Sequence, residues 1–132
     1  MIYALDSNIV SYLLNGDVNV IPKYRKVLTD GSKIVIPPIV FYEVQRGLLA
    51  KRLHKRLAKF DAMYQKILHV GFDKSVWQRA AEIYASLCQQ GKPIEDSDIF
   101  IAAYCIVNDF TLVTNNTRHF ERIDGLKIAN WK

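Results

Sequence analysis

Short strand-like segments alternate with helical segments along the whole chain, and this alternation constrains the fold more than any other feature. Strands that alternate with helices favour a mainly parallel sheet that is flanked by helices. We therefore predict a single α/β domain over residues 1–132. The predicted strands are Ile2–Leu5, Lys33–Ile36, Ile67–Val70, Thr111–Thr114 and Leu126–Ala129.

The predicted helices have ends that the sequence marks clearly. Asp6-Ser7-Asn8 begins the first helix, Asp73 is the expected cap of a helix that runs to Gln90, and Asp96 is the expected N-cap of a nearly all-apolar helix to Asn108. Two helices between residues 39 and 66 follow each other directly, with the second beginning at Lys51.

Composition limits the classes of protein that the chain can belong to. With 132 residues, half of them hydrophobic, the chain can bury a core without metal or disulfide staples. No apolar stretch is long enough to span a membrane, and no leader precedes the first strand, so we expect a cytosolic protein. Cys88 and Cys105 both occur in apolar helical patterns and are expected to be buried, reduced thiols.

Positive charge is concentrated in one part of the chain. The net charge is +5, and no acid occurs between Arg46 and Lys59. Such a cluster attracts phosphate backbones, although a solvated helix face is the more ordinary explanation of a charge run. The residues that we expect to contact such a phosphate backbone are Arg46, Lys51, Arg52, Lys55 and Arg56.

Polar residues follow two of the predicted strands. Asp6 ends the first strand, and Thr114-Asn115-Asn116 ends the strand that begins at Thr111. If these strands are parallel neighbours, the polar groups meet at one sheet edge, where sites of α/β folds lie. Asp98, in the first turn of the all-apolar helix, would point to the same edge, although helix capping alone would explain both Asp96 and Asp98.

Glu43 is the least expected residue, because it occurs in a helix that is otherwise largely apolar. A carboxylate on an apolar face is costly unless it is paired or coordinated. The simplest partner is Arg46, three residues further on. Gly47, however, leaves space beside Glu43 on the same face, which suits a site that holds a metal or a substrate.

Several carboxylates that converge on one point repel one another, and a divalent cation reverses that repulsion. Oxygen ligands without a His or Cys cluster favour Mg²⁺ or Mn²⁺ over zinc. His54, His69 and His119 lack the spacing of a metal site and are expected to be surface or packing residues, although His119 lies close to the predicted edge. An acidic, metal-holding centre in a basic protein suits a phosphodiester substrate.

Four motifs, in order and with their spacing, resemble the PIN-domain family, and within it the bacterial VapC-type toxins. They are Asp6-Ser7-Asn8 after an apolar strand, Glu43, the run Asp98-Ile99-Phe100-Ile101-Ala102-Ala103, and Thr114-Asn115-Asn116 followed by Phe120. The resemblance extends over essentially the whole chain, to Asn130-Trp131.

This resemblance implies a PIN-like fold and a set of site residues. Asp6, Glu43 and Asp98 would hold Mg²⁺ or Mn²⁺ and, with Asn116, form the catalytic set, while Asn8 and Thr114 would orient ligands, with Asp96 near them. Many relatives carry Asp at the position of Asn116, so a tightly held second metal is disfavoured here.

The implied function is that of the toxin in a toxin–antitoxin pair, an endoribonuclease that cuts tRNA or rRNA with metal-activated water. The implied partners are a VapB-type antitoxin and a second copy of the chain, in the bacterial cytoplasm. Three alternatives remain at this point: a PIN-like protein that binds RNA or antitoxin without cutting, a metal-dependent phosphatase on another α/β fold, and a scaffold with chance acids.

Overall fold

The computed structural model describes all 132 residues and contains four strands and seven helices. In chain order the elements are β1 (Ile2–Leu5), α1 (Ser7–Leu14), α2 (Val20–Thr29), β2 (Lys33–Val35), α3 (Pro38–Ala50), α4 (His54–Gln65), α5 (Lys74–Gln89), α6 (Asp96–Asn108), β3 (Thr111–Val113), α7 (Thr117–Phe120) and β4 (Lys127–Ala129).

The four strands form one sheet in the order β2-β1-β3-β4, and every neighbouring pair is parallel. β1 lies inside the sheet, where Tyr3 is paired with Ile34 of β2 and with Thr111 of β3. The predicted α/β fold is therefore confirmed. Because all strands point the same way, their carboxyl ends lie along one edge, which we call the C-edge.

Burial explains why α6 is almost entirely apolar. The helix packs against α5 and α3, and five of its central residues are nearly or completely buried. Within it, the hydroxyl of Tyr104 donates a hydrogen bond of 2.6 Å to the carbonyl of Val70. A helix that is enclosed in this way presents its first turn, rather than its sides, to solvent. The buried residues in the middle of α6 are Ile101, Ala102, Ala103, Tyr104 and Cys105.

Two predictions of secondary structure are wrong. Ile67–Val70 is not a strand: the backbone N–H of Leu68 donates to the carbonyl of Ile34 at 3.0 Å, but this single bond beside the edge strand β2 does not extend into a ladder. The second basic helix begins at His54 rather than at Lys51, because the chain turns at Arg52 with a φ of 54°. That left-handed conformation cannot continue a helix.

The helix caps agree with the sequence in two of three cases. Asp6 caps α1 and Asp73 caps α5, each through a carboxylate oxygen that accepts from backbone N–H groups. The prediction that Asp96 caps α6 is wrong, because the extended backbone that precedes the helix is that of Glu95, and Asp96 is already helical.

The two cysteines differ in their surroundings. Cys105 is completely buried in α6, as predicted, and burial raises the pKa of its thiol. Cys88 is free but exposed on α5, so the prediction that it is buried is wrong. None of the helices is long and apolar enough to cross a membrane.

Candidate acidic site at the C-edge

Asp6 is the centre of the site, and the sheet positions it directly. Its backbone N–H donates to the carbonyl of Val113 at 3.0 Å, so the pairing of β1 with β3 continues to this residue. The Thr114 hydroxyl donates to Oδ2 of Asp6 at 2.7 Å, and the Ser7 N–H donates to Oδ1 at 2.8 Å. The predicted meeting of Asp6 and Thr114 at one edge is therefore present in the structure.

Two asparagines extend this hydrogen-bond network. Nδ2 of Asn8 lies 3.4 Å from Oδ2 of Asp6, and its Oδ1 accepts from the N–H of Asn115 at 3.2 Å. The N–H of Asn116 donates to the Thr114 hydroxyl at 3.0 Å. The side chain of Asn116 is exposed just before α7 and makes no hydrogen bond, so it is free to meet a ligand.

Asp98 and Glu43 reach the C-edge from the flanking helices. Burial raises the pKa of Asp6, and the negative charge of Asp98 raises it further, against the hydrogen bond from Thr114. Burial also raises the pKa of Glu43, as do the charges of Asp6 and Asp98. Asp98 therefore lies close enough to Asp6, and both lie close enough to Glu43, to destabilise the ionised carboxylates, as convergence at one edge predicts.

Glu43 has no partner within the chain for one of its oxygens. Oε1 is buried and makes no hydrogen bond, whereas buried polar atoms almost always have a partner. Arg46 does not form the ion pair that was the simplest alternative, since its guanidinium lies over the ring of Tyr42, 5.0 Å from the centroid. An unpaired carboxylate oxygen at this depth suits a cation or a ligand that donates a hydrogen bond.

A cavity of about 280 Å³ opens beside Glu43, between α1, α3 and the turn before α4. A Cβ atom placed on Gly47 would meet nothing within 4 Å, so the predicted room beside Glu43 is present. The polar residues that line this cavity with Glu43 are Ser11, Asn15, Lys51 and Arg56.

None of the five cations that we expect to contact RNA is used in an ion pair. Lys51 and Arg56 share the cavity with Glu43, while Arg52 and Lys55 line a neighbouring hollow together with Arg56. Arg46 lies on the exposed face of α3, where its charge lowers the pKa of Glu43. The fold thus places Lys51 and Arg56 next to Glu43.

The structure places three further residues at the starts of α6 and α7. Asp96 is exposed and its charge acts on Tyr84 of α5, whose pKa is raised mainly by a hydrogen bond with Cys88. Glu95, which the sequence analysis missed, is an additional acid whose charge raises the pKa of Glu43. His119 contacts the site directly: its Nδ1 lies 3.3 Å from Oδ2 of Asp98. In the sequence, His119 follows Asn116 by three residues, and this position was the signal that could have placed it at the C-edge.

The carboxylates at the C-edge are oxygen ligands of the kind that bind divalent cations. The acids do not form a closed group of three metal ligands. Mg²⁺ does not require one, because it usually keeps several waters and binds one or two carboxylates. Asp6 and Asp98 offer such carboxylates, and Glu43 adds a buried oxygen without a partner. The residues therefore fit a hydrated hard cation and do not fit zinc.

Comparison with known proteins identifies the family of this fold. Residues 3–126 match the sequence profile of the PIN domain. This chain belongs to the PIN-domain family. Its relatives include Ribonuclease VapC2 of Rickettsia felis, 32% identical over 99% of this chain and 98% of that protein. The tRNA(fMet)-specific endonuclease VapC of Shigella flexneri is 29% identical over 98% of this chain and 97% of its own length.

Solved structures share the fold of this PIN domain. It superimposes on a chain of the Rickettsia felis VapBC2 complex bound to a promoter DNA fragment with a TM-score of 0.90, at 31% identity and with complete coverage of both chains. A chain of DNA-bound VapBC from Salmonella typhimurium has the same fold, with a TM-score of 0.88 at 23% identity over 100% of this chain and 99% of that one. The predictions of family and fold are confirmed.

Proposed function

We propose that this PIN domain is the toxin of a VapC-type toxin–antitoxin pair and acts as a metal-dependent endoribonuclease. One observation carries the proposal: Asp6, Glu43 and Asp98 converge at the C-edge, and Glu43 keeps a buried oxygen without a partner. The relatives that match over almost the whole chain are named ribonucleases, which supports the same activity.

Asp6 and Asp98 would hold Mg²⁺ or Mn²⁺, with Glu43 bound directly or through a water. When bound, the cation supplies an activated water and stabilises the charge that develops on the scissile phosphate. Thr114 and the N–H of Ser7 hold the Asp6 carboxylate in one orientation, and Asn8 adds a weaker contact. Asn116 offers a neutral side chain, which favours one well-bound ion.

The substrate that we propose is a structured RNA, with tRNA as the first candidate. Lys51 and Arg56 line the same cavity as Glu43, so phosphates that flank the scissile bond would meet unpaired cations beside this acid. A relative is named a tRNA(fMet)-specific endonuclease, which supports tRNA as the class of substrate. Such a substrate is consistent with a place in the bacterial cytoplasm.

We also propose that the partner is a VapB-type antitoxin and that the toxin forms a homodimer. The support for the antitoxin is that the Rickettsia felis structure, 31% identical to this chain, is of a VapBC complex. The homodimer is an expectation from the VapC family, and light scattering of the purified chain tests it.

The decisive experiment is the cleavage of a total tRNA and rRNA pool by purified protein, free of antitoxin, with Mg²⁺, with Mn²⁺ and with EDTA. We expect discrete cuts that need the metal and that disappear in Asp6→Asn and in Asp98→Ala. Asp109→Asn is the matched control, since this exposed acid follows the opposite end of α6. It should cut as the wild type does.

Other outcomes would favour the alternatives. If no RNA is cut under any condition, the protein is a catalytically weak or inactive PIN-like binder, and Asn116→Asp is the next variant to measure. Turnover of small phosphate esters without RNA cleavage would favour a phosphatase. If the Asp6 and Asp98 variants cut at the wild-type rate, the assignment of the site is wrong.

A further inference from the structure

His119 is the only side chain in the structure that makes a hydrogen bond to the Asp98 carboxylate. It lies in α7, a short helix that Phe120, completely buried, anchors to the core. Its side chain is 46% exposed, whereas that of Asp98 is 17% exposed. The imidazole therefore lies between solvent and an acid of the catalytic set.

The direction of the hydrogen bond follows from the chemistry of Asp98. An ionised carboxylate can only accept, so the tautomer of His119 that fits this contact carries its proton on Nδ1 and donates to Oδ2. The donor occupies Oδ2 and leaves Oδ1 without a hydrogen-bond partner. Asp6 is held differently, by Thr114 at Oδ2 and by the Ser7 N–H at Oδ1. Asp98 has no such second donor in the chain.

We propose that His119 is a positioning residue, which holds Oδ2 of Asp98 so that the other carboxylate oxygen faces Asp6 and a divalent cation. The inference rests on the proposed function, because it concerns the same metal. Groups that hydrogen-bond metal ligands fix the orientation of those ligands, and their loss typically weakens metal affinity by about 10–100-fold. A surface histidine without this role would leave that affinity unchanged.

The test is the affinity of the RNA-free protein for Mn²⁺, measured from the electron paramagnetic resonance signal of free Mn²⁺ during a titration. We expect His119→Ala to bind Mn²⁺ about tenfold or more weakly than the wild type. His119→Asn should restore most of the affinity, because its amide nitrogen takes the place of Nδ1. Arg118→Ala, an exposed neighbour in α7, is the matched control and should bind as the wild type does.

Cleavage as a function of Mn²⁺ concentration gives a second readout. If His119 acts through Asp98, His119→Ala needs more Mn²⁺ for half-maximal rate but approaches the wild-type kcat at saturating Mn²⁺. A reduced kcat at saturating metal, with unchanged Mn²⁺ affinity, would instead mean that His119 acts on the RNA, and would overturn the proposal.

Failure of this inference is distinguishable from failure of the proposed function. A wild type that binds Mn²⁺ and cuts RNA, beside a His119→Ala variant of equal Mn²⁺ affinity, overturns the positioning role alone. A wild type that neither binds Mn²⁺ nor cuts RNA overturns both. If His119→Ala were unfolded by circular dichroism, the comparison of His119→Asn with His119→Gln replaces it, and equal affinities of these two variants would contradict the role of Nδ1.

Discussion

Glu43 illustrates how a single residue at this site opposes the stability of the fold. Burial raises the pKa of its carboxyl, and the charges of Asp6 and Asp98 raise it further. A raised pKa means that the folded state binds the proton more tightly than the unfolded state does. The folded chain is therefore favoured at acidic pH, and this advantage is lost as the pH rises through the folded-state pKa.

Glu43→Gln keeps the shape of the side chain and removes its charge. In metal-free buffer at neutral pH we expect the variant to melt a few degrees above the wild type, because a neutral side chain costs less to bury and the repulsion from Asp6 and Asp98 is relieved. The difference should vanish at a pH below the unfolded-state pKa of Glu, where the carboxyl is protonated in both states. Thermal unfolding across this pH range is the measurement, and exposed Glu121→Gln is the control. A gain that is independent of pH would contradict the electrostatic cause.

At the scale of elements, α3 shows that a helix can give up intrinsic stability to leave room for a site. Gly47 lies in the interior of the helix, where Gly costs about 1 kcal/mol relative to Ala. Nothing surrounds the position of its missing Cβ within 4 Å. Packing therefore does not require a glycine at this position. Its missing side chain adds to the open space of the cavity beside Glu43.

Gly47→Ala should stabilise the protein by up to about 1 kcal/mol, since Ala is the better helix former and its methyl group meets open space. Gly16→Ala is the matched comparison, with equally open surroundings but a φ of 78°. That left-handed conformation penalises any residue with a Cβ, so this variant should be destabilised by about 1–2 kcal/mol. Urea denaturation measures both changes, and equal effects of the two substitutions would refute the backbone argument.

The turn at residues 51–53, between α3 and α4, and the start of α4 carry several cations, and we call this segment the basic turn. Arg52 and Arg56 are unpaired and lie beside the cavity that holds Glu43. Charge reversal of both residues should weaken RNA binding and lower the slope of log Kd against log salt by about 2, because at least two phosphate contacts are lost. The measurement is fluorescence anisotropy with labelled tRNA in EDTA, at several salt concentrations.

The control for this experiment reverses the charge of two cations that lie away from the basic turn. Lys33 begins β2, at the edge of the sheet opposite to the C-edge, and Lys74 begins α5. Lys33→Glu with Lys74→Glu changes the net charge by the same amount. If both double variants lower the salt slope equally, net charge rather than the basic turn determines binding.

At the scale of the whole molecule, metal binding and folding are linked through the same carboxylates. A ligand that binds only the folded state stabilises it by about 2.7 kcal/mol when present at 100 times its Kd. Saturating Mn²⁺ should therefore raise the Tm of the wild type by several degrees. Asp6→Asn should lose this shift, and Asp109→Asn should keep it. A shift that survives in Asp6→Asn would place the ion elsewhere in the chain.

The sequence alone determined the class of fold and most of the candidate site. Alternating strand and helix patterns predicted the parallel sheet, since periodicity reports which residues are buried and the short connections limit the topology. Asp6, Thr114 and Asp98 could be placed at one edge because they follow strands or begin a helix. Glu43 was identified from the cost of a carboxylate among apolar residues.

The tertiary structure decided what depends on contacts between distant parts of the chain. Local patterns could not distinguish Glu95 from Asp96 as the residue before α6, nor show that Ile67–Val70 lacks a ladder beside β2. The contact of His119 with Asp98 joins residues of two helices. The sequence position of His119 could place it near the C-edge, but only the packed fold shows that its side chain meets Asp98. Only the packed fold brings the charges of Glu43 and Asp6 together, because electrostatic repulsion depends on distance in space rather than along the sequence.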